Sequence, residues 1–217
     1  MTYDRRKYIG KRGLVTITFI YLSQSLLSQE PAKDSTNRQW SFSASGYYYF
    51  IPHDKDQFSA IAYADHKKLH LETRYNYENQ NTASEFAGWI IEKPGKLHLT
   101  ATPMLGLMFG RSNGFIPGLE LDLGYKRFNF YSETEYVIDF SRKENNYLYV
   151  WGEITFNPVS QLLIGVSYQK TGLYQTDFDI QRGAVIKYFV WKLTPGLYYF
   201  NPFSSTELFI VSLSFDF

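Results

Sequence analysis

Acidic side chains recur at every second position in two neighbouring segments. Glu120 and Asp122 lie before the tight turn at residues 126–127, and Glu133 and Glu135 lie after it. If both segments are strands, the turn sets their register and places Glu120 opposite Glu133. Like charges directly across a strand pair are destabilising, so these carboxylates need water, a cation or a basic side chain beside them. Carboxylates along the wall of a pore also impose charge selectivity.

Other segments are predicted to complete the same wall. A loop closing near residues 139–147 places Glu153 beside Glu133, so that three carboxylates share one level. Arg74, Lys187 and Lys192 are the basic side chains that can reach over to them. The predicted lumen-lining residues are Glu72, Arg74, Glu120, Asp122, Glu133, Glu135, Glu153 and Lys187.

The segments that carry these residues alternate between apolar and polar side chains. Leu119, Leu121 and Leu123 alternate with the acids of the first segment, and Phe128 and Phe130 with polar residues of the second. Period two with one apolar side is typical of β-strands. Twelve strands are predicted at residues 40–51, 57–65, 68–78, 83–92, 96–109, 117–126, 128–140, 146–156, 161–172, 182–189, 192–200 and 206–217.

Connection lengths and composition indicate where these strands lie. Short turns alternate with mostly longer loops, as in bacterial transmembrane barrels. Aromatic residues make up 19% of the chain although its mean hydropathy is only −0.31, which suits a barrel that is apolar outside and polar inside. The predicted fold class is all-β, a closed antiparallel up-and-down transmembrane β-barrel of about 12 strands, with 10 or 14 as alternatives. A soluble secreted β-sandwich or lipocalin-like barrel is a further alternative.

The N-terminus is predicted to be an export signal. Five basic residues precede the mostly apolar stretch at 13–27, which is too short to span a bilayer as a helix. Residues 1–28 are assigned to a signal peptide, residues 29–39 to a flexible periplasmic leader and residues 40–217 to the barrel. An amphipathic terminal helix is the alternative. Removing residues 1–28 leaves 17 basic and 20 acidic residues, a formal net charge of −3.

Composition excludes several other classes. The 22 basic and 21 acidic residues nearly balance, which argues against nucleic acid as a partner. The absence of cysteine excludes a disulfide-stapled scaffold and a Cys-ligated zinc site. No cofactor and no metal are predicted. The predicted partners are outer-membrane lipid and a small solute, and the sequence leaves the oligomeric state open.

The last strand and several short runs resemble known outer-membrane proteins. Leu213, Phe215 and Phe217 alternate with polar residues up to the last position, which resembles the C-terminal assembly signal that the barrel-assembly machinery of Gram-negative bacteria reads. The runs TPMLGLMFG (102–110), YQTDFDIQRG (174–183) and NPF (201–203) are similar to a porin-like group of Gram-negative outer-membrane barrels that are mostly uncharacterised. The resemblance covers the chain from about the fourth predicted strand onward and implies an outer-membrane barrel and no reaction. Both termini of the barrel are predicted to be periplasmic.

Enzymatic and metal sites have little support in the sequence. Ser112 with the following Asn-Gly is similar to part of an outer-membrane phospholipase motif, but Gly110 stands where that motif has histidine. Only a pairing with His53 across loops would give Ser112 a base. Asp177 and Asp179 in the longest loop are too few for a calcium site, and a salt bridge to Arg182 is the simpler interpretation.

The predicted function is therefore a passive, porin-like channel for small solutes with a polar and partly acidic lumen. A plugged barrel with a structural or surface-interaction role is the first alternative. An outer-membrane lipid hydrolase is the second. Tyr131, Tyr149 and Trp151 fall on the inward register and favour a constricted lumen.

Overall fold

The computed structural model describes residues 40–52, 55–171 and 179–217. Thirteen hydrogen-bonded strand segments and one short 3-10 turn, Lys143–Asn145, make up the described chain. The strands are β1 Ser41–Phe50, β2 Gln57–His66, β3 Leu69–Tyr75, β4 Thr82–Trp89, β5 Ile91–Lys93, β6 Leu97–Gly110, β7 Gly114–Tyr125, β8 Phe128–Asp139, β9 Tyr147–Val159, β10 Leu162–Lys170, β11 Gln181–Tyr188, β12 Leu193–Phe200 and β13 Leu208–Asp216.

These segments close into one antiparallel barrel. Apart from β4 and β5, each strand pairs with the next along the chain, and β1 pairs with β13 to close the sheet. The segments β4 and β5 both pair with β6 and are separated only by Ile90, so they are two parts of one barrel strand. The barrel therefore has twelve strands, and the predicted fold class is confirmed.

The outer surface of the barrel is mostly apolar, with aromatic residues near both rims; Glu85, which accepts a hydrogen bond from Thr73, is an exposed exception. In β3, for example, His70, Glu72 and Arg74 are buried while the residues between them are exposed. Exposed aromatic side chains near one rim include Phe50, Phe58, Tyr75, Phe109, Tyr136 and Phe140. Those near the other include Trp40, Trp89, Tyr125, Phe128, Tyr188 and Trp191. Such belts are typical of barrels in lipid. No helix among the described residues is long and apolar enough to span a membrane.

The two rims differ in their connections. At the short-turn rim, where residues 40 and 217 lie, two-residue turns join β2 to β3 and β7 to β8, with Lys67 and Lys126 both at φ 56°. A positive φ in the first turn residue suits the tight hairpins that match strand twist. At the long-loop rim the connections run over residues 51–56, 76–81, 111–113, 140–146, 171–180 and 201–207.

One of these connections contradicts the predicted strands. The sequence predicted a strand over 68–78, but β3 ends at Tyr75. Asn76 and Asn81 both have left-handed φ values, 54° and 51°, which asparagine tolerates well. The chain reverses there, and Tyr77 and Glu78 fold inside the barrel at 4% and 0% exposure. Residues 76–81 are called the inward connection below.

Predictions for the N-terminal part lie outside the described residues. The signal peptide at 1–28 and the leader at 29–39 precede residue 40 and stay predictions.

Candidate functional site: the barrel lumen

A single arginine is the centre of the inner wall. Arg74 donates from Nε to Glu72 Oε1 at 2.6 Å and from Nη2 to Glu72 Oε2 at 2.8 Å, a bidentate pair. Its Nη1 donates to Glu78, Glu133 and Glu135 at 3.0, 2.8 and 2.6 Å. All five side chains are fully inaccessible to solvent. These five residues are called the Arg74 cluster.

Hydroxyl groups donate further hydrogen bonds to the carboxylates of the cluster. Ser84 lies 2.9 and 2.8 Å from the two oxygens of Glu78. Tyr77 and Tyr131 donate to Glu133 Oε2 at 3.1 and 3.3 Å. Buried carboxylates require such partners because a desolvated charge without them is very costly. One carboxylate oxygen of the cluster, Oε2 of Glu135, is buried without a hydrogen-bond partner among the described residues.

The guanidinium group of Arg74 lies between two aromatic rings. Its Cζ is 4.7 Å from the Tyr77 ring centre and 4.3 Å from that of Phe86, a cation–π arrangement on both sides. Phe86 can lie against the wall because residue 106 is glycine: a Cβ there would be only 2.4 Å from the Phe86 ring. The smallest residue in β6 thus creates the space for the ring that covers the arginine.

Apolar and aromatic side chains fill the lumen from the middle of the barrel to the long-loop rim. Two buried clusters do so, and Tyr77 belongs to one and Phe86 to the other. The Arg74 cluster therefore connects them. Their fifteen members, none more than 4% exposed, are Tyr49, Ile61, Tyr77, Phe86, Met104, Met108, Ile116, Val137, Tyr149, Trp151, Val185, Tyr198, Phe200, Leu208 and Ile210. This region is called the packed half.

The other half of the lumen contains a cavity of about 720 Å³. It extends from the aromatic side chains Tyr47, Tyr77 and Trp151 to residues at the short-turn rim. Among the described residues, five carboxylates line it against one lysine and one histidine. These charged lining residues are Asp65, Glu92, Glu120, Asp122, Glu153, Lys187 and His70. The region is called the short-turn cavity.

One ion pair lies in the wall of this cavity. Lys187 Nζ lies 2.6 Å from Glu153 Oε2, with 23% and 7% of the two side chains exposed. Glu153 Oε1 also accepts hydrogen bonds from Tyr198 at 2.8 Å and from the Trp151 indole at 3.3 Å. The pair therefore joins the cavity to the floor of the packed half.

The predicted register is right for one carboxylate pair and wrong for the next. Glu120 pairs with Glu133 across β7 and β8, as the turn at 126–127 predicted. Glu153 does not pair with Glu133: Trp151 stands there, and Glu153 pairs with Tyr131. The slip of two residues keeps Glu153 on the inner face but moves it toward the short-turn rim.

The remaining predicted lumen residues also have definite positions. Arg74 and Lys187 reach carboxylates as expected, whereas Lys192 lies 5.8 Å over the Trp191 ring. Glu72 and Glu135 are buried in the Arg74 cluster, and Asp122 is exposed in the cavity. Their role in selectivity stays a prediction.

The candidate enzyme residues do not form a nucleophile–base pair in the described chain. Ser112 Oγ accepts a hydrogen bond from the Asn79 side-chain amide at 2.7 Å. His53 and Asp177 lie outside the described residues. Asp179 and Arg182 are both exposed, and no ion pair within 4.0 Å joins them.

The C-terminal strand β13 lies beside β1 at the point where the barrel closes. Leu213 and Phe217 are exposed on the outer face, and the Phe217 amide donates to the Phe42 carbonyl where β13 meets β1. The assembly role of Leu213, Phe215 and Phe217 stays a prediction.

His70, Glu72 and Glu120 bring possible metal-ligand atoms within 4.8 Å of one another. Sequence reasoning missed this group and the inward Tyr77. The left-handed preference of Asn76 and Asn81 was the available signal for the latter.

Comparison of the structure with solved proteins identifies the class of fold. A KdgM porin in complex with disordered oligogalacturonate superposes with a TM-score of 0.61 at 14% identity, over 81% of this chain and 99% of the porin. A second KdgM porin structure gives 0.60 at 15% identity with the same coverage. A NanC porin gives 0.51 at 14% identity, over 80% and 98% of the two chains.

The chain thus has the fold of outer-membrane porins, in agreement with the porin-like resemblance of its sequence. No protein-family model matches the sequence, and no curated protein matches it.

Proposed function

We propose that the protein is an outer-membrane channel of the porin type for small neutral or cationic solutes. Solutes enter the short-turn cavity, and the packed half forms the constriction that limits their passage. The observation that carries the proposal is a polar cavity of about 720 Å³ inside a barrel of porin fold. A cavity of this size matches the range of small-molecule sites.

The charge of the cavity supports the preference for cations. Among the described residues, five carboxylates line it against one lysine and one histidine, and rings of acidic side chains select cations in channels. The oligogalacturonate in the KdgM complex is a polyanion. An acidic wall repels such a ligand, so we propose a different solute class for this chain despite the shared fold.

The location and orientation of the barrel are part of the proposal. Apolar side chains with aromatic belts cover the outside, and short turns face the periplasm in bacterial outer-membrane barrels. We therefore place the short-turn rim and both termini in the periplasm. The terminal strand with Leu213, Phe215 and Phe217 is proposed as the segment that the assembly machinery recognises.

Single-channel recording in planar bilayers tests this function. The refolded wild-type barrel is expected to give small discrete steps and, in a salt gradient, a reversal potential with the sign of cation preference. Tyr77→Ala combined with Trp151→Ala is expected to give larger steps because both rings close the floor of the cavity. Trp89→Ala is the matched control, since Trp89 is exposed on the outer face. A silent wild type, or steps with anion preference, would contradict the proposal.

A closed barrel is the second candidate, and the packed half favours it. Fifteen inward side chains there are at most 4% exposed, as expected where side chains fill a barrel. A wild type that is silent while the double variant conducts is the result that this candidate predicts.

A further inference from the structure

The two ring nitrogens of one histidine in the wall of the short-turn cavity have different environments. His70 is 5% exposed, and its Nδ1 lies 2.7 Å from Asp65 Oδ1. Among the described residues its buried Nε2 has no hydrogen-bond partner. A buried polar atom that makes no hydrogen bond requires an explanation such as a bound ion.

Carboxylates from two strands, β3 and β7, lie close to this nitrogen. Nε2 is 3.5 Å from Glu72 Oε2 on the same strand. Glu120, from β7, brings an oxygen into the same group, and all three possible ligand atoms lie within 4.8 Å of one another. His70 and Glu120 also line the cavity.

We propose that His70 Nε2, Glu72 and Glu120 bind a divalent transition-metal cation of the Zn²⁺ type. The cavity side of the site is left for a fourth ligand, a water molecule or a donor atom of a solute. This site is independent of solute passage, because it requires only the geometry of the inner wall.

The ligand set fits this class of metal. Zn²⁺ takes imidazole nitrogen and carboxylate oxygen at about 2.1 Å in a tetrahedron, whose edges are then about 3.4 Å long. The 3.5 Å between Nε2 and Glu72 Oε2 matches such an edge. Glu120 is only half-buried and is held by one hydrogen bond from Tyr131 at 3.0 Å. Its side chain can therefore move closer to a cation.

Asp65 contacts His70 on the side of the imidazole ring away from the proposed metal. A metal-binding imidazole usually donates its other N–H to a carboxylate, which fixes the tautomer and the ring orientation. The contact between His70 Nδ1 and Asp65 has this arrangement. With the proton on Nδ1, the lone pair of Nε2 is available to a cation, and Glu72 and Glu120 lie close by.

Glu72 can serve the metal and Arg74 together. Each of its oxygens accepts one hydrogen bond from the guanidinium group, at 2.6 and 2.8 Å. A carboxylate offers about four lone-pair sites, so Oε2 keeps one toward His70. The cation also offsets negative charge, since four carboxylates surround the single guanidinium.

Binding of Co²⁺ and Zn²⁺ to the refolded barrel in detergent tests the proposal. The chain carries no polyhistidine tag, and folding of each variant is checked by circular dichroism. We expect one equivalent of Co²⁺ with the strong visible absorption of tetrahedral coordination, displaced by Zn²⁺. His70→Ala should abolish this signal, and Asp65→Asn should weaken binding roughly 10–100-fold, as for other outer carboxylates.

Glu120→Gln and His98→Ala sharpen the result. Glu120→Gln keeps the shape of the half-buried side chain, removes its charge and should weaken Zn²⁺ binding about tenfold or more. His98→Ala removes an exposed histidine whose Nε2 lies 3.3 Å from Thr100 Oγ1, and it should bind as the wild type does. No binding by the wild type, or unchanged binding by His70→Ala, would overturn the proposal. His70 would then be an imidazolium that bridges Asp65 and Glu72. Neither outcome depends on whether the barrel conducts ions in channel recordings.

Discussion

Inward charged residues are buried and paired in one half of the lumen and are partly exposed in the other. In the packed half, charges are fully buried and pair within the Arg74 cluster. In the short-turn cavity, Glu120 is half-buried and Asp122 is exposed, and Lys187 keeps 23% of its side chain accessible. Both halves belong to the same strands, so the difference arises from the side chains and from the inward connection.

We expect the packed half to determine the stability of the barrel and the short-turn cavity to determine which solutes enter. A buried ion network is strongly destabilised when one partner is removed, because uncompensated charge remains. A solvated ion pair contributes little. Substitutions in the packed half should therefore lower the free energy of unfolding, and substitutions in the cavity should mainly change which ions or solutes enter.

The largest effect is expected from Arg74→Met. It leaves four buried carboxylates without their common cation and should lower the free energy of unfolding by about 3–5 kcal/mol. Urea unfolding in detergent measures the change. Arg142→Met, at an exposed arginine, is the control and should stay within about 0.5 kcal/mol of wild type. A stable Arg74→Met barrel would contradict the role of the cluster.

Trp151→Ala should have the next largest effect. Trp151 is 4% exposed and contacts the rings of Tyr47, Tyr198 and Phe200. Its removal should cost about 3 kcal/mol through lost burial and a new void, measured by circular dichroism in urea. Trp89→Ala, on the outer face at 56% exposure, should cost less. Equal costs would mean that the inner aromatic side chains are not packed as described.

Gly106→Val tests the space above Arg74. A Cβ at this position would be 2.4 Å from the Phe86 ring, so the ring must leave the guanidinium group. We expect a loss of about 1–3 kcal/mol. Gly95→Ala is the matched control, because its Cβ would meet only the Leu97 carbonyl at 3.5 Å. Unfolding curves that coincide for both variants would show that Phe86 is free to move.

The smallest effect on stability is expected in the cavity. Lys187→Met removes the partly exposed cation beside Glu153, a carboxylate that is only 7% exposed but keeps its hydrogen bonds from Tyr198 and Trp151, and it should cost about 1 kcal/mol. The same change should increase cation preference in bilayer recordings, because the net negative charge of the wall rises. A large loss of stability with unchanged ion preference would reverse the assignment of the two halves.

Much of the barrel could be predicted from alternation and from tight turns. The outward sides of β3, β7, β8 and β13 follow from period two, and the pairing of Glu120 with Glu133 follows from the two-residue turn at 126–127. Both features are local, so the sequence is sufficient to define them.

The missed features depend on contacts between distant segments. The position of Glu153 depends on the connection at 140–146, where the Asp139 amide donates to the Asn146 side chain at 2.9 Å. Such a loop does not fix the register as a two-residue turn does. The inward position of Tyr77 and Glu78 is likewise stabilised by Arg74 and Glu133. The grouping of His70 with Glu120 requires closure of the barrel.

Cysteine accessibility tests the difference between the two halves most directly. The chain contains no cysteine, so each single variant reports on one position. Thr100→Cys lies in the short-turn cavity, and Val137→Cys lies in the packed half at 0% exposure. With a charged, water-soluble thiol reagent we predict rapid labelling of Thr100→Cys and almost none of Val137→Cys in the folded barrel. Equally rapid labelling of both variants would contradict a lumen that is open in one half and packed in the other.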